Sequence, residues 1–188
     1  MKEWLRRIRG EVGSRWRIAV WGTAALILLL PLLAMQFTEE VAWDLADFAV
    51  FGAMLLAACG TYELAARVAS NSAYRAAVGV AVAAAFILVW MNLAVGIIGN
   101  EDNPANLMFG GVLAVGIIGA VNARFQPQGM ARALMTTASA QALVGVIALA
   151  MGSVEVFVLA AFFAALWLTS AWLLRKAARE QVPAVAAP

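Results

Sequence analysis

Residues 76–99 read AAVGVAVAAAFILVWMNLAVGIIG, with no charged side chain between Arg75 and Glu101. About 20 helical residues at 1.5 Å each cross roughly 30 Å of hydrocarbon, so this stretch has the length of a transmembrane helix. A single strand in lipid leaves backbone N–H and C=O groups unpaired, and the apolar/polar alternation of a membrane barrel is absent, so helix is the only reading. Working outward, the span extends to Ala73–Gly99. Five further runs of similar length lie on either side of it: Arg17–Phe37, Asp44–Ala66, Ala105–Arg124, Ala131–Met151 and Val154–Leu174. The expected fold class is therefore an all-α membrane protein, a compact bundle of six transmembrane helices. Residues 1–16 form a basic tail, 17–175 the six-helix domain and 176–188 a C-terminal tail.

Composition points the same way and excludes other classes. Of 188 residues 64% are hydrophobic and only 13% charged, with mean hydropathy +0.87, far from a soluble domain. A net charge of +2, from 13 basic and 11 acidic residues, leaves no basic stripe long enough to track a phosphate backbone, so nucleic acid is not an expected partner. The absence of histidine excludes bis-histidine haem and the common transition-metal triads. The single Cys59 excludes an intrachain disulfide and multi-cysteine metal patterns. No cofactor and no resident metal are expected.

The polar breaks carry turn chemistry. Gly99 is suited to the left-handed conformation that ends a third helix. Asn103-Pro104 offers a capping side chain followed by proline at the first position of a fourth. Ser70-Asn71-Ser72, Gln126-Pro127-Gln128-Gly129 and Gly152-Ser153 mark the other turns, the last so short that spans five and six must form a tight antiparallel hairpin.

Basic residues near short loops stay on the cytoplasmic side of a membrane. Lys2, Arg6, Arg7, Arg9, Arg15 and Arg17 precede span one, Arg67 and Arg75 flank the second loop, Arg124 and Arg132 the fourth, and Arg175, Lys176 and Arg179 follow span six. All thirteen fall on one face when the helix number is even. The other face receives Glu39, Glu40, Asp44, Asp47, Glu101, Asp102 and Glu155, seven of the eleven acids. Both termini are thus expected in the cytoplasm of a multi-pass inner-membrane protein. A basic start followed by Ala24–Leu33 also fits a signal peptide, whose removal leaves five spans. The apolar run of about 20 residues and the long preceding tail favour an uncleaved helix.

Lipid is as apolar as leucine, so helices associate through close backbone approach, which small residues four apart permit. Ala53/Ala57, Gly110/Ala114, Gly116/Ala120, Ala138/Ala142 and Ala161/Ala165 have that spacing. Span one is leucine-rich with Pro31 inside it, which places it at the periphery and predicts a kink. Trp16, Trp21, Trp43 and Trp172 fall near span ends, as aromatic belts do, whereas Trp90 and Trp167 lie within spans and fill the bundle or face acyl chains. The heptapeptide Leu-Ala-Val-Gly-Ile-Ile-Gly occurs at 93–99 and 113–119. The two copies fall at different depths, which argues against an inverted transporter repeat and for close packing of spans three and four.

Two groups of residues carry candidate chemistry. Asp44 and Asp47 share a helix face and, with Glu101 and Asp102, form an acidic mouth suited to a hard cation or a solute. The same acids also complement the positive end of helix four. Asn92, Thr137 and Gln141 form a possible intramembrane polar path, against the alternative that such groups bridge helices by hydrogen bonds. Glu63 precedes Arg67 by four residues, the favourable order for an ion pair within one helix. No acid or base stands at the midplane, as proton-driven carriers require, and Cys59 has no histidine to activate it. An enzyme is not expected. In the tail, Trp4, Ile8, Val12 and Trp16 recur among arginines as in a short interfacial helix on anionic lipid, weakened by Gly10 and Gly13.

Residues 94–108, with their Glu-Asp-Asn-Pro-Ala-Asn loop, resemble a family of small uncharacterised bacterial inner-membrane proteins, and Leu33–Val41 look similar to it as well. The resemblance implies a multi-spanning bacterial membrane protein and carries over no activity. Two readings remain. One is a non-enzymatic accessory or assembly component that engages lipid, a membrane-protein partner or a second copy. The other is a small transporter or channel for a cation or small polar solute.

Overall fold

Most helix ends fall at the polar breaks. The computed structural model describes residues 2–69 and 71–181, with side chains for residues 17–67, 69 and 71–180. It contains six helices, α1 (Lys2–Ala34), α2 (Leu45–Val68), α3 (Ser72–Ala94), α4 (Leu107–Asn122), α5 (Pro127–Ala150) and α6 (Val154–Gln181), with a 3-10 turn Pro104–Asn106 leading into α4. No strand occurs among the described residues. All six helices are long and apolar enough to cross a membrane.

Capping explains several of these boundaries. Asp44 Oδ1 accepts from the N–H groups of Ala46 (2.7 Å) and Asp47 (3.0 Å), while Asp47 Oδ2 accepts from the Asp44 N–H (2.9 Å). This reciprocal capping box satisfies the first donors of α2. Asn71 Oδ1 accepts from the N–H of Ala73 and Tyr74 to begin α3, and Asn103 Oδ1 accepts from Ala105 to begin the 3-10 turn. Pro127 stands at the first turn of α5, where its missing N–H costs nothing.

Four boundaries differ from the sequence reading. Gly99 does adopt the left-handed conformation (φ 74°), but α3 has already ended at Ala94, and residues 95–99 form a non-helical loop. The helix stops early because Asn106 captures the N–H groups of Ile97 and Ile98, which a continuing helix would spend on its own carbonyls. α5 starts four residues before Ala131, because Gln126-Pro127 initiates it directly. α6 runs past the expected limit near Leu174, since Leu174 and Ala177 continue its buried stripe. The expected division between tail and first span is not a helix boundary, as α1 is continuous from Lys2 to Ala34 with Pro31 inside it. The side chains of the proposed interfacial face, Trp4 to Trp16, lie outside the described residues.

The helices fall into two compact units, Met1–Leu64 and Ala65–Pro188, where one six-helix bundle was the expectation. In the first, Leu28 of α1 approaches Gly52 of α2, and Trp43 makes edge-on ring contacts with Phe48 and Phe51, with centroids 5.3 Å apart in each. In the second, α5 packs on α4 and α6, and α6 packs on α3. Its core includes Leu88, Phe109, Val112, Phe163, Trp167 and Leu174.

Small residues permit the close approaches in the second unit, but mostly not the pairs singled out by spacing. A Cβ on Gly119 would lie 2.6 Å from the Ala133 Cβ, and one on Gly145 2.9 Å from the Ala160 Cβ. Gly116 faces Thr137 and Ala138 is buried, but Ala53, Ala57, Gly110, Ala114, Ala142, Ala161 and Ala165 are exposed on the surface of their helices. Four-residue spacing finds a smooth ridge without saying which ridge meets a neighbour.

Candidate functional site

Two of the four acids of the expected mouth share a local role. Asp44 and Asp47 spend their carboxylates on the start of α2, as described above. Glu101 and Asp102 are exposed in the turn before Asn103. Among the described residues no group of three or more Cys, Asp or Glu side chains is placed to hold a metal ion.

The loop beside that turn is organised by Asn106, which sequence reasoning did not single out as a site residue. It is 5% exposed, and its side chain uses both ends. Oδ1 accepts from the N–H of Ile97 (3.1 Å) and Ile98 (2.8 Å), and Nδ2 donates to the carbonyls of Ile98 (3.4 Å) and Asn100 (2.7 Å). Gly96, at φ 65°, is required here because a Cβ would lie 2.2 Å from the Asn100 carbonyl carbon. Asn92 Nδ2 donates to the Asn106 backbone carbonyl (3.2 Å), tying α3 to the same loop. Asn92 is therefore part of the loop's scaffold.

Thr137 and Gln141 occupy successive turns of α5 inside the second unit, and α6 brings two groups the sequence did not reveal. Ser170, fully buried, donates to the Ala77 carbonyl of α3 (2.7 Å), and Thr137 donates to the Ala133 carbonyl (2.9 Å). Gln141 is 0% exposed with neither amide atom hydrogen-bonded, and Trp167 is 3% exposed with its indole Nε1 unpartnered. Leaving such a group unsatisfied costs about 1–3 kcal/mol. The Ser170–Ala77 bond sets the α3/α6 level and the Gly145–Ala160 contact sets the α5/α6 level. On those registers Asn92 stands about nine residues, roughly 13 Å, along α3 from the level of Gln141. The expected path thus divides into a loop scaffold at Asn92 and an interior seam at Thr137, Gln141, Trp167 and Ser170.

In the first unit, Glu63 is 6% exposed and held from α1. Arg17 Nε lies 2.7 Å from Oε1, and Trp21 Nε1 donates to Oε2 at 2.8 Å. The sequence named Arg67 as a partner of Glu63; Arg17 and Trp21 are partners it did not name. Arg17 and Trp21 are also four residues apart, hence on one face of α1, and an antiparallel α1/α2 pair brings the middle of α1 to the end of α2. That spacing was the available signal. Trp21, read from sequence as a belt residue, is here a hydrogen-bond donor to a buried carboxylate.

The ends of the second unit are likewise segregated. Asn71 Nδ2 donates to Glu180 (2.7 Å) and the Tyr74 hydroxyl to the Phe125 carbonyl (3.1 Å), which joins the start of α3, the α4/α5 turn and the end of α6. Arg75, Arg124, Arg132, Arg175, Lys176 and Arg179 therefore share one end of this unit, opposite the 95–106 loop. No protein-family model, curated protein or solved structure matches the chain.

Proposed function

We propose that this chain is a multi-pass inner-membrane protein of bacterial type, with both termini cytoplasmic, acting as a non-enzymatic accessory or assembly component. One observation carries the reading: the polar side chains that make hydrogen bonds or ion pairs spend them on holding helices and loops. Glu63 joins α1 to α2, Asn106 builds the 95–106 loop, Ser170 joins α6 to α3, and Asp44 and Asp47 cap α2. Meanwhile Ile117, Ile118 and Val121 of α4 and Leu26 and Leu30 of α1 present exposed apolar faces. Such faces meet lipid, a partner helix or a second copy, and the basic ends meet anionic headgroups. The test is photo-crosslinking from residue 117 or 26 in intact membranes, followed by solubilisation and pull-down. A discrete protein adduct supports the reading; adducts with lipid alone overturn the accessory role.

The unpartnered Gln141 amide favours a second reading, a small transporter or channel using Asn92, Thr137 and Gln141. It requires water to reach residues 92 and 141 from the membrane surface. Cysteines placed there, in a Cys59→Ala background, would react with an impermeant aqueous thiol reagent; protection of both rejects passage.

A further inference from the structure

Three hydrogen-bonding atoms in the apolar middle of the second unit have no partner: Nε2 and Oε1 of Gln141 and Nε1 of Trp167. Their positions are related by the helix register. Gly145 of α5 meets Ala160 of α6, so in this antiparallel pair Gln141 lies level with Ala164, and Trp167 lies level with Ala138, one turn away. Helical side chains lean toward the N-terminus of their own helix. The two helices run in opposite directions, so Gln141 leans toward the level of Trp167 and Trp167 toward the level of Gln141. Ala138 and Ala164, both buried, are the small side chains that stand at these two levels.

We propose that α5 and α6 enclose an internal hydration site in which water bridges the Gln141 amide and the Trp167 indole N–H. The chemistry of the lining selects the occupant. Residues 133–150 of α5 and 156–174 of α6 contain no charged side chain, so an ion would find no counter-charge there. The unpartnered groups include donors (the Trp167 indole and the Gln141 amide nitrogen) and an acceptor (the Gln141 amide oxygen). Thr137 and Ser170, one turn from Gln141 and Trp167 respectively, give their protons to backbone carbonyls and keep free lone pairs on their oxygens. A small neutral molecule that both donates and accepts satisfies this set, and internal water in proteins makes about three such bonds. The site does not depend on passage of solute or on a partner protein.

X-ray hydroxyl-radical footprinting of the full-length protein in nanodiscs tests this, because radicals form from the water held at the site. Labelling of each residue is normalised to that in the denatured chain, with Met151 in the α5–α6 turn as the exposed control and buried Phe163 as the dry one. The expected result is Trp167 labelling above Phe163, lost in Gln141→Leu while Met151 is unchanged. Gln141→Met, closer in length, serves if the leucine variant does not fold. Wild-type Trp167 labelled no more than Phe163 overturns the proposal without any variant, as does labelling that survives both substitutions.

Discussion

Glu63 illustrates what a carboxylate requires inside an apolar helix pair: a cation and a second donor, each from the facing helix. Glu63→Ala removes both contacts at once. Arg17 is half exposed and regains water, so the cost stays below that of a fully buried pair, about 1–3 kcal/mol, read as a lower midpoint of unfolding in detergent. Asn106 is the more demanding residue, since its four bonds hold two amides and two carbonyls of the loop, of which the Asn100 carbonyl also accepts from the Asn103 N–H. Asn106→Ala is expected to destabilise by about 2–4 kcal/mol and to speed hydrogen exchange at the Ile97 and Ile98 amides. Asn106→Asp keeps the acceptor for those amides but loses the donor to Ile98 and Asn100. It should therefore protect the two amides more than alanine does and less than asparagine. The Asn106 network was not legible residue by residue. Asn106 is one of six asparagines in the chain, and only the fold brings the four backbone groups within its reach.

At the scale of elements, glycines of the same helix separate into those that touch and those that do not. Gly119 of α4 lies against Ala133 and Gly110 faces open space. Gly119→Ala is expected to destabilise by about 1–3 kcal/mol through overpacking. Gly110→Ala should be neutral or stabilising by up to about 1 kcal/mol through helix propensity. Both are measurable in one unfolding series, and equal effects would contradict the packing. The spans themselves were readable because each is an uncharged run bounded by polar breaks. The facing ridges were not, because five small-residue pairs fit the spacing and lipid-facing alanines look the same in sequence as packed ones. The ion pair was legible in part: four-residue spacing marks Glu63 as a paired residue, and the facing helix adds Arg17 and Trp21, partners that no local rule names.

For the whole molecule, the segregation of charge gives the sharpest expectation. On the proposed topology, with both termini cytoplasmic, a C-terminal fluorescent-protein fusion should glow, and alkaline phosphatase inserted after Asp102 should be active while the same insertion after Gln126 is not. Activity at 126 would invert the topology. The sequence alone determined the helical class, the six apolar helices and the capping signal at Asn103-Pro104, because these follow from composition and local chemistry. Tertiary structure decided where helices yield to loops. The heptapeptide Leu-Ala-Val-Gly-Ile-Ile-Gly makes this plain: at 113–119 it is wholly helical, with Gly116 and Gly119 against α5. At 93–99 it leaves the helix after Ala94, with Gly96 and Gly99 left-handed. Identical residues have identical propensities, so the difference comes from partners outside the segment: Asn106 takes the amides of Ile97 and Ile98 in the first copy, while α5 packs against the second.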